Sequence, residues 1–261
     1  MTNKQKYEDQ LILTLTPLSP FPLIHPVDPL DQMIQHALQR NGITLEDGDI
    51  LGLAQKIVSK SEGRLINLDT VNPSLKAIEP GEKIEKDPRL TELILRESNH
   101  ALRTRPSTII VEHRLGFVCV NASIDHSNVA EKGEWVLLLP EKPDRSTQQL
   151  RSQLQQASGC NLGIMIIDSH GRAWQNGTVG VTIGPGGLTG VVDMRGKPDL
   201  FGYQLRVTQI ASAEELAAGA SLVMGQAAEG TPVIHVRSFP YKLREGGSEE
   251  LIRDNQNDLF R

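Results

Sequence analysis

A mixed α/β fold is what this sequence predicts, on three observations. Short β-like apolar runs outnumber segments with helical period, a few helices carry clear start and stop signals, and 23 Gly and 15 Pro residues punctuate the chain. At about 150 residues per domain, 261 residues fit one large domain or two small ones. We place the main domain at residues 11–240, in one piece or two subdomains, and a surface tail at residues 241–261. Apolar residues at 38% and charged residues at 23% exclude a disordered, collagenous or coiled-coil chain.

Taken in order, residues 11–15 alternate apolar and polar and predict a strand. Residues 17–26 contain four prolines and predict an extended connector. A helix follows, with Asp28 as cap, Pro29 in its first turn, Leu30, Ile34, Ala37 and Leu38 on one face, and Gly42 at its end. Residues 50–58 predict a strand. Residues 90–103 repeat Leu90, Ile94 and Ala101 at helical spacing, with Glu97 on the same face. Residues 109–112 and 117–120 predict a hairpin around Leu115 and Gly116, and residues 135–139 a buried strand.

A helix opening on Ser146 and Gln149 as a capping box carries Leu150, Leu154 and Ala157 inward and stops at Gly159. Residues 162–167 predict a short buried strand ending at Asp168, and residues 178–183 and 204–210 two further strands. Ser212 and Glu215 form a second capping box for a helix with Leu216, Ala220, Val223, Met224 and Ala227 as its stripe. Residues 233–236 make the last strand, and the tail holds at most a short helix from Ser248.

The formal net charge of −5 and the lack of a basic stretch exclude nucleic acid as an expected partner. Cys119 and Cys160 form neither a CxxC pair nor a disulfide framework, which fits a reducing compartment. Every apolar run falls short of the roughly 18–20 residues that span a bilayer. The first residues lack the apolar stretch of an export signal. A cytoplasmic location without membrane contact is expected.

Candidate chemistry starts at Asp168 and Ser169, just after a buried strand, and at Asp125 and Asn128, in a loop. Carboxylate, hydroxyl and amide oxygens suit Mg²⁺ or Mn²⁺, and no His/Cys spacing points to zinc; Asp and Asn are also common turn residues. Lys56, Lys60 and Arg64 recur at spacing four and offer a phosphate site, with solvated side chains as the alternative. Lys60 is the foremost of them, because Ser59 and Ser61 flank it. The glycines of residues 183–190 lack the GK[ST] ending of a phosphate loop and the strand–GxGxxG–helix context of a dinucleotide fold. Glu97 on an apolar face requires a partner or a wet cleft, and a buried salt bridge is the simpler reading.

Six stretches, in order, resemble the coenzyme F420-0:L-glutamate ligase family: FPLIHPVD near the start, LEDGDILGLAQKIVSKSEGR at 45–64, GFVCVNASIDHSNV at 116–129, LLLPEKPDRS at 137–146, IIDSHGRAW at 166–174 and LVMGQAAEGTPVIHVR at 222–237. The ending ELIRDNQNDLFR is similar to the tail of bacterial, stand-alone members. The resemblance implies a GTP-dependent acid–amino-acid ligase with an unusual mixed-sheet fold and an interlaced homodimer. It implies Mg²⁺ or Mn²⁺, two per site, with K⁺ as a further ion to consider. By the family's pattern Asp125 and Asp168 hold one metal, and Ser169 and Gln226 the second. GTP would lie against Pro22, Leu23, Ile24, His25, Gln55, Lys56, Lys60, Asn128, and the loop Met224, Gly225, Gln226, Ala227, Ala228, Glu229, Gly230 and Thr231. Lys60 and Asp168 are the catalytic candidates.

The implied substrates are F420-0, L-glutamate and GTP, and the implied products F420-1 and F420-2, GDP and phosphate. A carboxylate condenses with an amine only after one of its oxygens becomes a leaving group, which an acyl phosphate supplies. Some members carry Thr at the position of Ser169, Glu at that of Gln226 and Lys at that of His25, and a neutral amide is the weaker ligand for a hard cation. The rival readings are the same ligation on another carboxylate acceptor, and a metal-dependent phosphohydrolase that binds nucleotide without forming an amide.

Overall fold

The computed structural model describes residues 12–130 and 133–258, so Leu11 of the first predicted strand and the last three residues of the tail motif lie outside the described residues. The chain runs β1 (Thr14–Pro17), α1 (Leu30–Arg40), β2 (Ile50–Ala54), α2 (Gln55–Ser61), β3 (Leu65–Asn67), α3 (Leu75–Lys83), α4 (Pro88–Arg96), β4 (Ser98–Arg105), β5 (Thr108–His113) and β6 (Val118–Val120). It continues through β7 (Trp135–Leu137), α5 (Pro143–Ser158), β8 (Gly163–Arg172), β9 (Gln175–Gly186), β10 (Val192–Asp193), β11 (Gln209–Ile210), α6 (Ser212–Met224) and β12 (Val233–Arg237). The fold is mixed α/β, as the sequence predicts.

A five-stranded sheet in the order β1-β12-β2-β8-β9 forms the centre, with β2 and β8 parallel and the other neighbours antiparallel. Successive strand residues face opposite sides. Leu51, Leu53, Ile164 and Ile166 pack with Leu30, Ile34, Ala37 and Leu38 of α1, Ile57 and Val58 of α2, and Leu150 and Leu154 of α5. Ile50, Met165, Ile167, Ile234 and Val236 point the other way, onto Leu216, Ala217, Ala220 and Met224 of α6. A separate core lies under the sheet β4-β5-β6, built from Leu90, Leu93 and Ile94 of α4 with Ile109 and Val111 of β5 and Val136 of β7. Each fully buried Leu or Ile contributes about 1.5–3 kcal/mol.

Several boundaries differ from the sequence expectation. The strand at 50–58 ends at Ala54 and turns directly into α2. Ile57 and Val58 favour a strand locally, yet as helix residues both reach the core, and packing overrides propensity. The helix expected to reach Arg103 stops at Arg96, and Ala101 lies on β4 paired with Val111. The strand expected to end at Asp168 continues to Arg172, because β9 pairs with it as far as Gln175. The strand expected at 204–210 shrinks to Gln209–Ile210. Helix α3 was not foreseen, since Pro80 interrupts its signal.

The expected caps also go elsewhere. The Asp28 carboxylate accepts from the His25 backbone N–H at 2.7 Å, and α1 begins without a side-chain cap. Ser146 lies inside α5 and donates to Glu62, and Ser212 donates to the Thr189 carbonyl at 2.7 Å, so neither capping box forms. Ala157 is exposed, and Ala227 lies beyond the end of α6. The run 183–190 is no phosphate loop. Its glycines let α5 approach β9: a Cβ on Gly184 or Gly186 would stand 2.9 Å from Pro143 or 2.8 Å from Thr147. Beyond Tyr241, Leu243 and Leu251 pack on the α6 side of the sheet, and Ser248 donates to Asp144 at 2.8 Å.

Candidate active site

The site is assembled where β2 meets α2, where β8 emerges from the sheet, and where two loops fold over them. Because α2 starts at Gln55, Lys56 and Lys60 stand one turn apart on the same helix face. Opposite them are residues 121–129, which a short helical turn, Asn121–Ser123, brings beside β8. The loop 225–231 after α6 closes the third side.

These segments enclose a cleft of about 820 Å³. Its lining gathers the predicted stretch 22–25, Gln55, Lys56, Lys60, Asn128 and the whole loop 224–231, together with Asp125, Asp168 and Ser169. Lys56 Nζ lies 2.7 Å from Asp125 Oδ1 and donates to the Ser127 carbonyl at 3.2 Å. Gln55 donates to the other oxygen of Asp125 and is itself oriented by Ser59, whose hydroxyl donates to Gln55 Oε1 at 2.9 Å. Lys60 Nζ donates to the Asn128 carbonyl at 2.8 Å, and Asn128 Nδ2 to the Ala227 carbonyl at 2.9 Å. Ser169 Oγ donates to Gln226 Oε1 at 2.7 Å.

Electrostatics follows from burial and these partners. Burial pushes the Asp125 carboxyl up, Lys56 works against this, and the charge of Asp168 adds to it. Burial is the largest influence on Asp168 too and opposes its charge, but the His170 hydrogen bond at 2.9 Å, the charge of His170 and hydrogen bonds from the Ser169 N–H and Ser123 together hold that carboxyl below its usual range. Burial, then the charge of Lys56, push Lys60 down. Two carboxylates that feel each other, a hydroxyl and an amide oxygen form a donor set that fits a hard cation. Among the described residues no three His, Cys, Asp or Glu side chains are grouped to hold a metal alone; Mg²⁺ sites of one or two carboxylates are completed by substrate phosphates and water.

Other expected residues go elsewhere. Arg64 donates to Glu97 at 2.9 Å and to the Leu139 carbonyl, and Arg114 also pairs with Glu97, so Glu97 sits in a buried salt bridge away from the cleft. Ser59 and Ser61 donate to Gln55 and to the Val58 carbonyl rather than converging with Lys60 on an anion. Sequence reasoning missed His170 and Ser123, whose hydroxyl lies 3.2 Å from His170 Nε2. The signal was present: with β8 carried to Arg172, Asp168 and His170 are two apart on one strand and share a face. It also missed Glu214, which burial pushes up to about 7 within electrostatic reach of His170.

An α/β enzyme with lysines and carboxylates converging on one deep cleft is the class that this fold and site define. A family model described as F420-0:Gamma-glutamyl ligase matches residues 20–238. The coenzyme F420:L-glutamate ligase of Methanothermobacter thermautotrophicus is 42% identical over 251 residues, 95% of this chain and 99% of its own length. The enzymes of the same name from Methanopyrus kandleri and Archaeoglobus fulgidus are 43% and 37% identical, covering 94% of this chain and 97% and 95% of their own lengths. The chain belongs to the F420-0:gamma-glutamyl ligase family and is a ligase.

Proposed function

We propose that this protein attaches L-glutamate to F420-0 with GTP as the energy source, through an acyl phosphate, giving γ-glutamyl-linked F420-1 and F420-2 with release of GDP and phosphate. The observation that carries this is the single cleft in which Lys56 and Lys60 face Asp125 and Asp168. A phosphate chain against the lysines would thereby lie beside an acidic centre, as phosphoryl transfer requires.

In this mechanism Lys60 holds the transferring phosphoryl group. Its ammonium has three N–H donors; the Asn128 carbonyl takes one, which leaves the others for phosphate oxygens. Lys56 and Gln55 keep Asp125 oriented, and His170 does so for Asp168. Loop 225–231 and residues 22–25 form the walls against the nucleoside, with Asn128 tying the loop to the site through Ala227. Asp125 and Asp168 would hold one Mg²⁺ or Mn²⁺, and Ser169 and Gln226 a second. Bound there, the cations neutralise charge on the phosphate oxygens. The substrate carboxylate attacks the γ-phosphorus, GDP leaves, and the glutamate amine then displaces phosphate from the acyl carbon. We assign the enzyme to the cytoplasm as a homodimer; the exposed side chains of Leu200 and Phe201 are apolar groups that a second copy would cover.

The test is mass spectrometry of F420-0 incubated with the protein, L-glutamate, GTP and Mn²⁺, with phosphate release followed in parallel. A glutamyl increment that needs all components, and that Asp168→Asn abolishes while the variant still folds, is the expected result. Phosphate release from GTP with no increment on any carboxylate acceptor would establish the phosphohydrolase instead.

A further inference from the structure

Three consecutive residues other than glycine take left-handed backbone angles beside the cleft: Asn121, Ala122 and Ser123, with φ of 52°, 53° and 51°. In that region Cβ crowds the following carbonyl oxygen, so residues other than Gly visit it singly, Asn most readily, and a run of three is costly. Two of the three have a local return. The Asn121 side-chain oxygen accepts from the Ile109 N–H at 3.0 Å, and Ala122 is buried in the core under the sheet β4-β5-β6. Ser123 instead lines a recess of about 170 Å³ that adjoins the cleft and shares Asp125, Asp168 and Ser169 with it.

What Ser123 meets there is the support of Asp168. Its Oγ lies 3.2 Å from His170 Nε2, which in turn lies 2.9 Å from Asp168 Oδ2. Nε2 carries at most one hydrogen, and the carboxylate, which has only acceptors, takes it. The Ser123 hydroxyl then gives its own hydrogen to the same carboxylate. Phe117 steadies the imidazole from the other side, with ring centroids 5.0 Å from His170 and 5.1 Å from the fully buried His113, on which it stacks. Building on the ligase reading above and its metal assignment, we propose that Ser123 is a positioning residue: the strained turn holds its hydroxyl in place so that Ser123 and His170 together fix the Asp168 carboxylate in one orientation toward the cation. Backbone strain of this kind persists only where the surrounding structure over-determines it, and it clusters at functional sites. Groups that hydrogen-bond a ligating carboxylate set its orientation, and losing one typically lowers metal affinity roughly ten- to a hundredfold.

Two variants separate the hydroxyl from the backbone. Ser123→Ala removes the hydroxyl and keeps the strain, whereas Ser123→Gly removes the hydroxyl and relaxes the turn. Calorimetric titration with Mn²⁺ alone, steady-state kinetics with each substrate varied in turn, and urea unfolding are the readouts. Both variants are expected to raise the Kd for Mn²⁺ about tenfold. Both should lower kcat about tenfold while the KM for L-glutamate stays within about twofold. Ser123→Gly should unfold at a urea concentration no lower than Ser123→Ala. A Kd for Mn²⁺ within about twofold of the parent in both variants would make Ser123 a packing residue and overturn the proposal, as would a Ser123→Gly protein less stable than Ser123→Ala. A parent protein that takes up no Mn²⁺ would overturn it together with the metal assignment. Uptake of Mn²⁺ that depends on Ser123, in a parent that transfers no glutamate to any acceptor, would overturn the ligase reading instead.

Discussion

His113 shows how one buried side chain ties stability to pH. It is fully buried on β5, stacks on Phe117 with ring centroids 5.1 Å apart, and accepts at Nδ1 from the Leu115 N–H at 3.0 Å. Its Nε2 has no hydrogen-bond partner among the described residues, and a carboxylate oxygen of Glu97 is 3.8 Å away. Burial first, and the Arg114 charge second, push its pKa down to about 4 from 6.5. The unfolded chain therefore takes up the proton more readily. Stability from this group is complete above pH 6.5 and erodes as pH falls toward 4, by about 3 kcal/mol across the whole window. Urea unfolding at pH 7 and pH 5 measures this: His113→Asn, which keeps an acceptor for Leu115, should reduce the pH-dependent loss by about 2 kcal/mol. An unchanged loss would show that His113 does not titrate in this way.

At the scale of elements, close approach of helix and strand decides which residues are tolerated. Helix α6 lies so near β9 that a Cβ on Gly180 would stand 2.4 Å from Ser221 Cβ and 2.7 Å from the Ala217 carbonyl oxygen. Neither neighbour is the tip of a flexible chain, so the helix must shift. Gly180→Ala should cost about 1–3 kcal/mol in chemical denaturation. Since α6 leads into loop 225–231, it should also weaken nucleotide binding; a variant as stable as the parent would refute the packing account. The α2 boundary has the same character. Strand and helix are both compatible with the residues at 55–61 taken alone, and the choice between them determines whether Lys56 and Lys60 share a face.

For the whole molecule, the outstanding feature is an arm between β10 and β11 that presents apolar side chains to solvent. Leu200 and Phe201 are 98% and 95% exposed, and Val207, farther back on the same arm, is exposed too. Large apolar side chains left in solvent in this way suit an association site, and the proposed homodimer would place a second copy of the chain there. The double substitution Leu200→Asp, Phe201→Asp should convert a dimer to a monomer in light scattering coupled to size exclusion. A parent chain that is already monomeric at micromolar concentration would rule this out.

The sequence by itself determined the α/β class, the apolar face of α1, the buried strands β2, β7 and β12, and the residue types of the site. Those properties are local: periodicity, turn residues and short motifs act over a few positions. It also supplied the segments of the cleft, through motifs whose order resembles one family. Only the tertiary structure decided where β8 and α2 begin and end, that Arg64 and Glu97 form a structural ion pair, and that His170 orients Asp168. It alone brought Lys60 to Asn128, 68 residues apart, and Asn128 to Ala227, 99 residues apart. The physical reason is that such pairings depend on strand order and helix packing, which no local pattern encodes, and on burial, which can turn a locally strand-like segment into a helix.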